Sequence, residues 1–129
     1  MTEQERMAIE HACARLIASY ANLNDEGRWD DLAALYAEDG AMARPSAPED
    51  LIRGREAILA SLKARPARQS RHLCTNVVID VASPVEASGL SAVALYMPDT
   101  PPKLGWFHDR FVKRGGDWLF AERRGSLSF

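Results

Sequence analysis

His72 opens a strand-like segment, "RHLCTNVVIDV", in which an imidazole, a thiol (Cys74) and an amide (Asn76) recur on alternate positions. An imidazole ordinarily titrates near neutral pH, so it can take and return a proton there. Alternation would put His72, Cys74, Asn76, Val78 and Asp80 on one face and Leu73, Thr75, Val77, Ile79 and Val81 on the other. The second face is apolar and calls for a core or another subunit to cover it. The first is mixed, and periodicity alone leaves it open between solvent and a partly polar cavity. Asp25 is the second candidate. It ends a helical pattern beside Glu26, where the helix dipole disfavours carboxylates. A local rule broken without evident gain is a common mark of a functional residue. By itself, though, Asp25 reads as a solvated helix-end acid unless something turns it inward. His11, His72 and His108 lie far apart with no H-x-H or H-E-x-x-H spacing, so no local pattern supports a metal site. Cys13 and Cys74 are too few for a disulfide scaffold and read as free, mostly buried thiols.

The elements that must position these groups are legible from patterning. Thr2 and Glu5 in "TEQE" fit a capping box. Ile9, Cys13, Leu16, Ile17, Tyr20 and Leu23 then recur at helical spacing to about residue 25, where Gly27 supplies a stop. A second helix is expected in "WDDLAALYAEDG", with Trp29, Leu32, Leu35 and Tyr36 on its buried side. "ARPSAPED" is a loop and "LIRG" a short extended piece. "REAILASLKAR" makes a third helix, ended by Pro66. Strands are expected over 70–81, 87–97, 104–114 and 117–125, divided by "SP", "PDTPP" and the tight-turn signal "RGGD". Helices followed by an antiparallel meander make an α+β fold.

A chain of 129 residues forms one domain, here 1–129. A net charge of −2 gives no electrostatic case for nucleic acid. No apolar run reaches the roughly 18 residues a membrane span requires. The charged, amphipathic "MTEQERMAIEH" lacks a signal-type apolar core, so a cytoplasmic location is expected.

Four segments in order, "ASYANLNDEGRWDDLAALYAEDGAM", "IRGREAIL", "RHLCTNVVID" and "GWFHDRFVKRGGDWLFAERR", resemble the SnoaL-like superfamily of the nuclear-transport-factor-2 fold. The resemblance implies a curved antiparallel sheet wrapped around three N-terminal helices into a cone, with a pocket for a small, largely apolar molecule and no cofactor. It is strongest to scytalone dehydratase and hexachlorocyclohexane dehydrochlorinase. Asp25, four before Trp29, and His72 in "HLCTN" match the dyad of those enzymes, in which the histidine takes a proton from carbon and the aspartate supports it. Arg123, five after Trp118, matches the arginine of their last strand. By the same resemblance Tyr20, Trp29, Cys74, Asn76, Tyr96, Phe107 and Arg123 are candidate substrate-binding residues.

Departures limit the transfer. The dehydratase's second histidine has no counterpart in "ALYMPD", its asparagine is replaced near Phe107, and the dehydrochlorinase's lysine is here Tyr20. The resemblance therefore implies a cofactor-independent lyase or isomerase acting on a small cyclic or polyketide-like compound, without naming the reaction. A non-catalytic binding protein and a structural subunit similar to the β subunit of ring-hydroxylating dioxygenases are the alternatives. Relatives associate as dimers or trimers through the outer sheet face, where Val77 and Ile79 would lie if His72 faces inward.

Overall fold

The computed structural model describes residues 1–128. Helix α1, Glu3–Glu26, is capped at its start by the Thr2 hydroxyl, which accepts from the Glu5 N–H at 3.0 Å. It is closed by Gly27, whose left-handed φ of 68° lets the Gly27 and Arg28 N–H groups donate back to Asn24 and Leu23. Its inward stripe, Ile9, Cys13, Ile17 and Tyr20, is buried in the core.

The second helix is shorter than its periodicity predicts. α2 covers only Trp29–Ala33, and Tyr36–Ala43 forms strand β1. Leu35 and Tyr36 continue the helical spacing, but β1 pairs in parallel with the last strand, setting Tyr36 opposite Phe120. The ladder and the burial of both rings outweigh local helix preference, which is a weak prior. The sheet is consequently mixed rather than wholly antiparallel.

β2, Ile52–Arg53, and α3, Arg55–Lys63, follow. β3 runs Arg71–Ser83, β4 Glu86–Met97, β5 Thr100–Arg114 and β6 Asp117–Leu127. Of "PDTPP", only Pro98 and Asp99 form the turn; Thr100, Pro101 and Pro102 already lie within the start of β5. Gly115 and Gly116, with φ of 59° and 86°, make the two-residue hairpin turn expected of "RGGD". The six strands are ordered β2-β1-β6-β5-β4-β3, which leaves β3, with His72, at an edge.

Two bulges decide which side chains face inward. In β3 the register slips between Thr75 and Val78, where Asn76 adopts a left-handed φ of 53°. His72 and Cys74 point inward before the bulge, and Ile79 and Val81 pack on the core after it. Strict alternation therefore fails half-way along this strand. Asn76 is exposed and is not pocket wall, and Ile79 belongs to the core rather than the outer face. A one-residue insertion re-aims every later side chain. In β6 the register shifts between the pairs Arg110–Glu122 and Phe111–Phe120. Phe120 and Arg123, three apart, can therefore both be buried.

Candidate active site

The concave side of the sheet, closed by α1, encloses a cavity of about 290 Å³. This lies near the lower bound of small-ligand sites, roughly 300–1,000 Å³. Its walls come from α1, β1, the loop after β1, the segment after α3, and β3 to β6. Gly125 lets that loop lie against β6, since a Cβ there would meet the Pro45 ring at 2.5 Å. Arg44, Pro45 and Ser46 are thereby held at the cavity.

Asp25 and His72 meet inside this wall. Asp25 Oδ1 lies 2.6 Å from His72 Nδ1 and accepts from the Ser70 hydroxyl at 3.0 Å. Its Oδ2 accepts the backbone N–H of His72 at 2.8 Å. That N–H is available because β3 is an edge strand, with no neighbour on its outer side. The start of β3 thus wraps the carboxylate at the end of α1, which answers how an acid survives there against the dipole: three donors hold it. Both side chains are about one-tenth exposed (10% and 11%). With Asp25 accepting, Nδ1 carries the proton and Nε2 keeps its lone pair. Among the described residues Nε2 makes no hydrogen bond, and the ring lines the cavity. Burial pushes the His72 pKa below its ordinary value of 6.5, Asp25 opposes this, and Arg68 and Arg65 push it further down. The ring is therefore neutral at neutral pH, the state a base requires.

Tyr20, Phe107 and Arg123 also line the cavity. The Tyr20 hydroxyl is engaged, 3.0 Å from the Tyr36 hydroxyl and donating to Met42 Sδ at 3.4 Å. Tyr20 therefore offers its ring rather than a proton donor. Arg123 is fully buried, its guanidinium carbon 3.8 Å from the Phe107 ring centre and 4.4 Å from that of Tyr20. Its Nε lies 3.2 Å from Asp109 Oδ1.

Four expected binding residues lie elsewhere. Tyr96 is exposed on the outer face at 45%, and Asn76 is exposed at the bulge. Trp29 packs against the core with Arg65 above its ring, and Cys74 packs there from β3. Burial raises the thiol pKa of Cys74 and pushes that of Cys13 up to about 12, so neither is a ready nucleophile. His11 and His108 are exposed. Among the described residues no three His, Cys, Asp or Glu side chains gather as a metal site, and no helix is long and apolar enough to cross a membrane.

Sequence reasoning missed Asp109 and the cations at the cavity, Arg44, Arg65, Arg68 and Lys103. The first had a signal, an acid between Phe107 and Phe111 on one strand face. The cations had none, because they come from loops and strand ends distant in sequence.

The chain matches the model of the SnoaL-like domain over residues 5–124. It belongs to the SnoaL-like family. Among curated proteins, no sequence matches this SnoaL-like chain significantly. Solved structures do. A candidate scytalone dehydratase of Novosphingobium aromaticivorans DSM 12444 is 26% identical, with a TM-score of 0.86 over 99% of this chain and 89% of that one. Rv3472 of Mycobacterium tuberculosis, of unknown function, is 27% identical, with a TM-score of 0.80 over 91% and 74%. The hexachlorocyclohexane dehydrochlorinase LinA-type3 of Novosphingobium barchaimii LL02 is 18% identical, with a TM-score of 0.84 over 99% and 92%, a likeness of fold. The SnoaL-like fold here is thus the nuclear-transport-factor-2-like cone, shared with an NTF2-like protein of N. aromaticivorans at a TM-score of 0.82.

Proposed function

We propose that the protein is a cofactor-independent lyase or isomerase in which His72 is the general base and Asp25 its supporting carboxylate. The observation that carries this reading is the 2.6 Å contact between Nδ1 and Asp25, on a mostly buried ring that lines the cavity. In this reaction Nε2 takes a proton from a substrate carbon. In elimination, the C–H electron pair becomes the new double bond and the leaving group departs with its own bonding pair. Asp25 stabilises the imidazolium, which then returns its proton to the leaving group, released as water if that group is hydroxide. In isomerisation the proton returns to another carbon. With the Tyr20 hydroxyl engaged, the imidazolium is the proton donor as well as the acceptor. The likeness to a candidate scytalone dehydratase at 26% identity supports the reaction class.

The test is proton exchange in D₂O, followed by NMR over a panel of small cyclic ketones and hydroxy acids. Deuterium wash-in or loss of water that requires His72 supports the reading. Tight binding in the cavity with no exchange in any compound rejects it in favour of a non-catalytic binding protein.

The pH profile carries a sharper expectation. The neutral ring is active, so kcat/KM is full above the His72 pKa and lost as pH falls through it. The acid limb lies below 6.5, in line with the direction of the shift. In Arg68→Gln the limb moves upward, because a cation that disfavours the imidazolium is gone. A limb unmoved in Arg68→Gln assigns the titration to another group.

We also propose that a second copy covers the outer sheet face. Leu73, Val78, Leu90 and Trp106 leave 37% to 57% of their surface exposed there, an apolar patch of the kind that marks association sites. Light scattering at low micromolar concentration is expected to give a dimer or trimer, and a monomer alone refutes this.

A further inference from the structure

The chain carries a net charge of −2, yet its cavity is lined by Arg44, Arg65, Arg68, Lys103 and Arg123 and by no aspartate or glutamate. Arg123 is answered by Asp109 at 3.2 Å. The other four have no carboxylate partner among the described residues. Arg44 gives one N–H to the Ser61 carbonyl at 2.9 Å, while its Nε is buried without a hydrogen-bond partner. Arg65 stacks over Trp29 at 5.8 Å. Burial lowers the Arg65 pKa, and so do the neighbouring charges of Arg44 and Arg68. Like charges gathered at a half-enclosed cavity repel one another, and low-dielectric walls focus their field on whatever enters. Such a cluster is stabilised by a bound anion, above all by a planar one that accepts paired guanidinium N–H groups. The remaining walls, including Val93, Leu95, Phe107 and Leu127, are apolar.

We infer that the ligand of this cavity is a small organic carboxylate, its apolar body against Phe107 and its carboxylate held by Arg44, Arg65, Arg68 and Lys103. The inference deepens the reading of this cavity as the substrate site, and it adds a charged end to the largely apolar ligand that the fold resemblance implies. A carboxylate also suits the chemistry. Loss of a proton from the carbon beside it builds further negative charge on its oxygens, and cations already in place stabilise that charge.

The test is calorimetric titration with cyclohexanecarboxylate and benzoate, each against its primary amide, on wild type, on Arg68→Gln/Lys103→Gln and on His72→Ala. Arg68 and Lys103 are exposed, so the double variant is expected to fold as wild type does. A second variant, Arg65→Gln, checks the half-buried member, with its melting curve recorded alongside. The carboxylates are expected to bind about tenfold more tightly than the amides. That preference is lost in the double variant and weakened by added salt, and it survives in His72→Ala. Equal affinity for acid and amide, no measurable binding of either class, or a preference unchanged without the cations overturns the inference. Because the preference is read in His72→Ala as well, its failure is separable from failure of the base. Turnover of a neutral compound that requires His72 would sink the carboxylate and leave the dyad standing.

Discussion

His72→Ala is expected to lower kcat/KM by about 10²–10⁴-fold, the usual contribution of a positioned general base, while leaving circular dichroism and the melting transition near wild type. The ring is mostly buried at the cavity edge, and its loss enlarges that cavity without opening the core cluster around Phe111 and Phe120. Asp25→Asn is expected to fall in the same range. The amide keeps the shape and can still accept the His72 backbone N–H, but it cannot stabilise the imidazolium and does not fix the proton on Nδ1. Asn is the informative change, because Ala would strip three donors of their acceptor. Each buried donor left unsatisfied costs about 1–3 kcal/mol, so a fall in stability would be mixed with the fall in rate. Kinetics on any compound that passes the exchange screen decide the matter. If either variant turns over at the wild-type rate, the base is elsewhere.

The same two residues mark where the sequence could be read and where it could not. Helix α1, its caps and α3 follow from spacing, because each is dominated by one uninterrupted period, and the four long strands follow from the turn signals that divide them. The errors fall where a tertiary contact interrupts the period. Tyr36 continues a helical stripe but sits opposite Phe120 in a parallel ladder, and no local signal announces a strand whose partner lies 84 positions away. Asn76 follows His72 at perfect alternation, yet its left-handed backbone ends that alternation. A bulge on an edge strand depends on what lies beside the sheet. Asp25 carried a signal of another kind, the acid at the wrong end of a helix. Its resolution required the Ser70 hydroxyl and the His72 N–H, 45 and 47 residues on. The cations at the cavity were beyond pattern reading altogether. Arg44 follows β1, Arg65 and Arg68 follow α3, and Lys103 lies near the start of β5; only folding brings them to one surface.

Arg123→Met is expected to destabilise the protein by about 3–5 kcal/mol, the cost of leaving a buried charge without its partner. Asp109 and Arg123 face each other across β5 and β6, 3% and 1% exposed. Their 3.2 Å contact lies off the hydrogen-bond line, so the pair is held by charge and by the aromatic faces of Phe107, Tyr20 and Phe120 rather than by a bidentate fork. Even with Arg123 present, burial pushes the Asp109 carboxyl up to about 6 from an ordinary 3.8. A carboxyl whose pKa is raised on folding stabilises most below its unfolded value, and that stability is lost as pH rises through the folded value. In Arg123→Met the folded value rises further. The penalty measured by urea unfolding should therefore be smaller at pH 5 than at pH 8, since at the lower pH Asp109 is protonated and no unpaired charge remains. The double change Asp109→Leu/Arg123→Met removes both charges and is expected to recover most of the loss, as buried pairs replaced by apolar side chains often do. A penalty for Arg123→Met within ~1 kcal/mol, the worth of an exposed pair, would mean that the pair is solvated in solution. If the double variant is stable but turns over slowly, Arg123 serves the site as well as the fold, from its place beside Phe107 in the wall of the cavity that His72 lines.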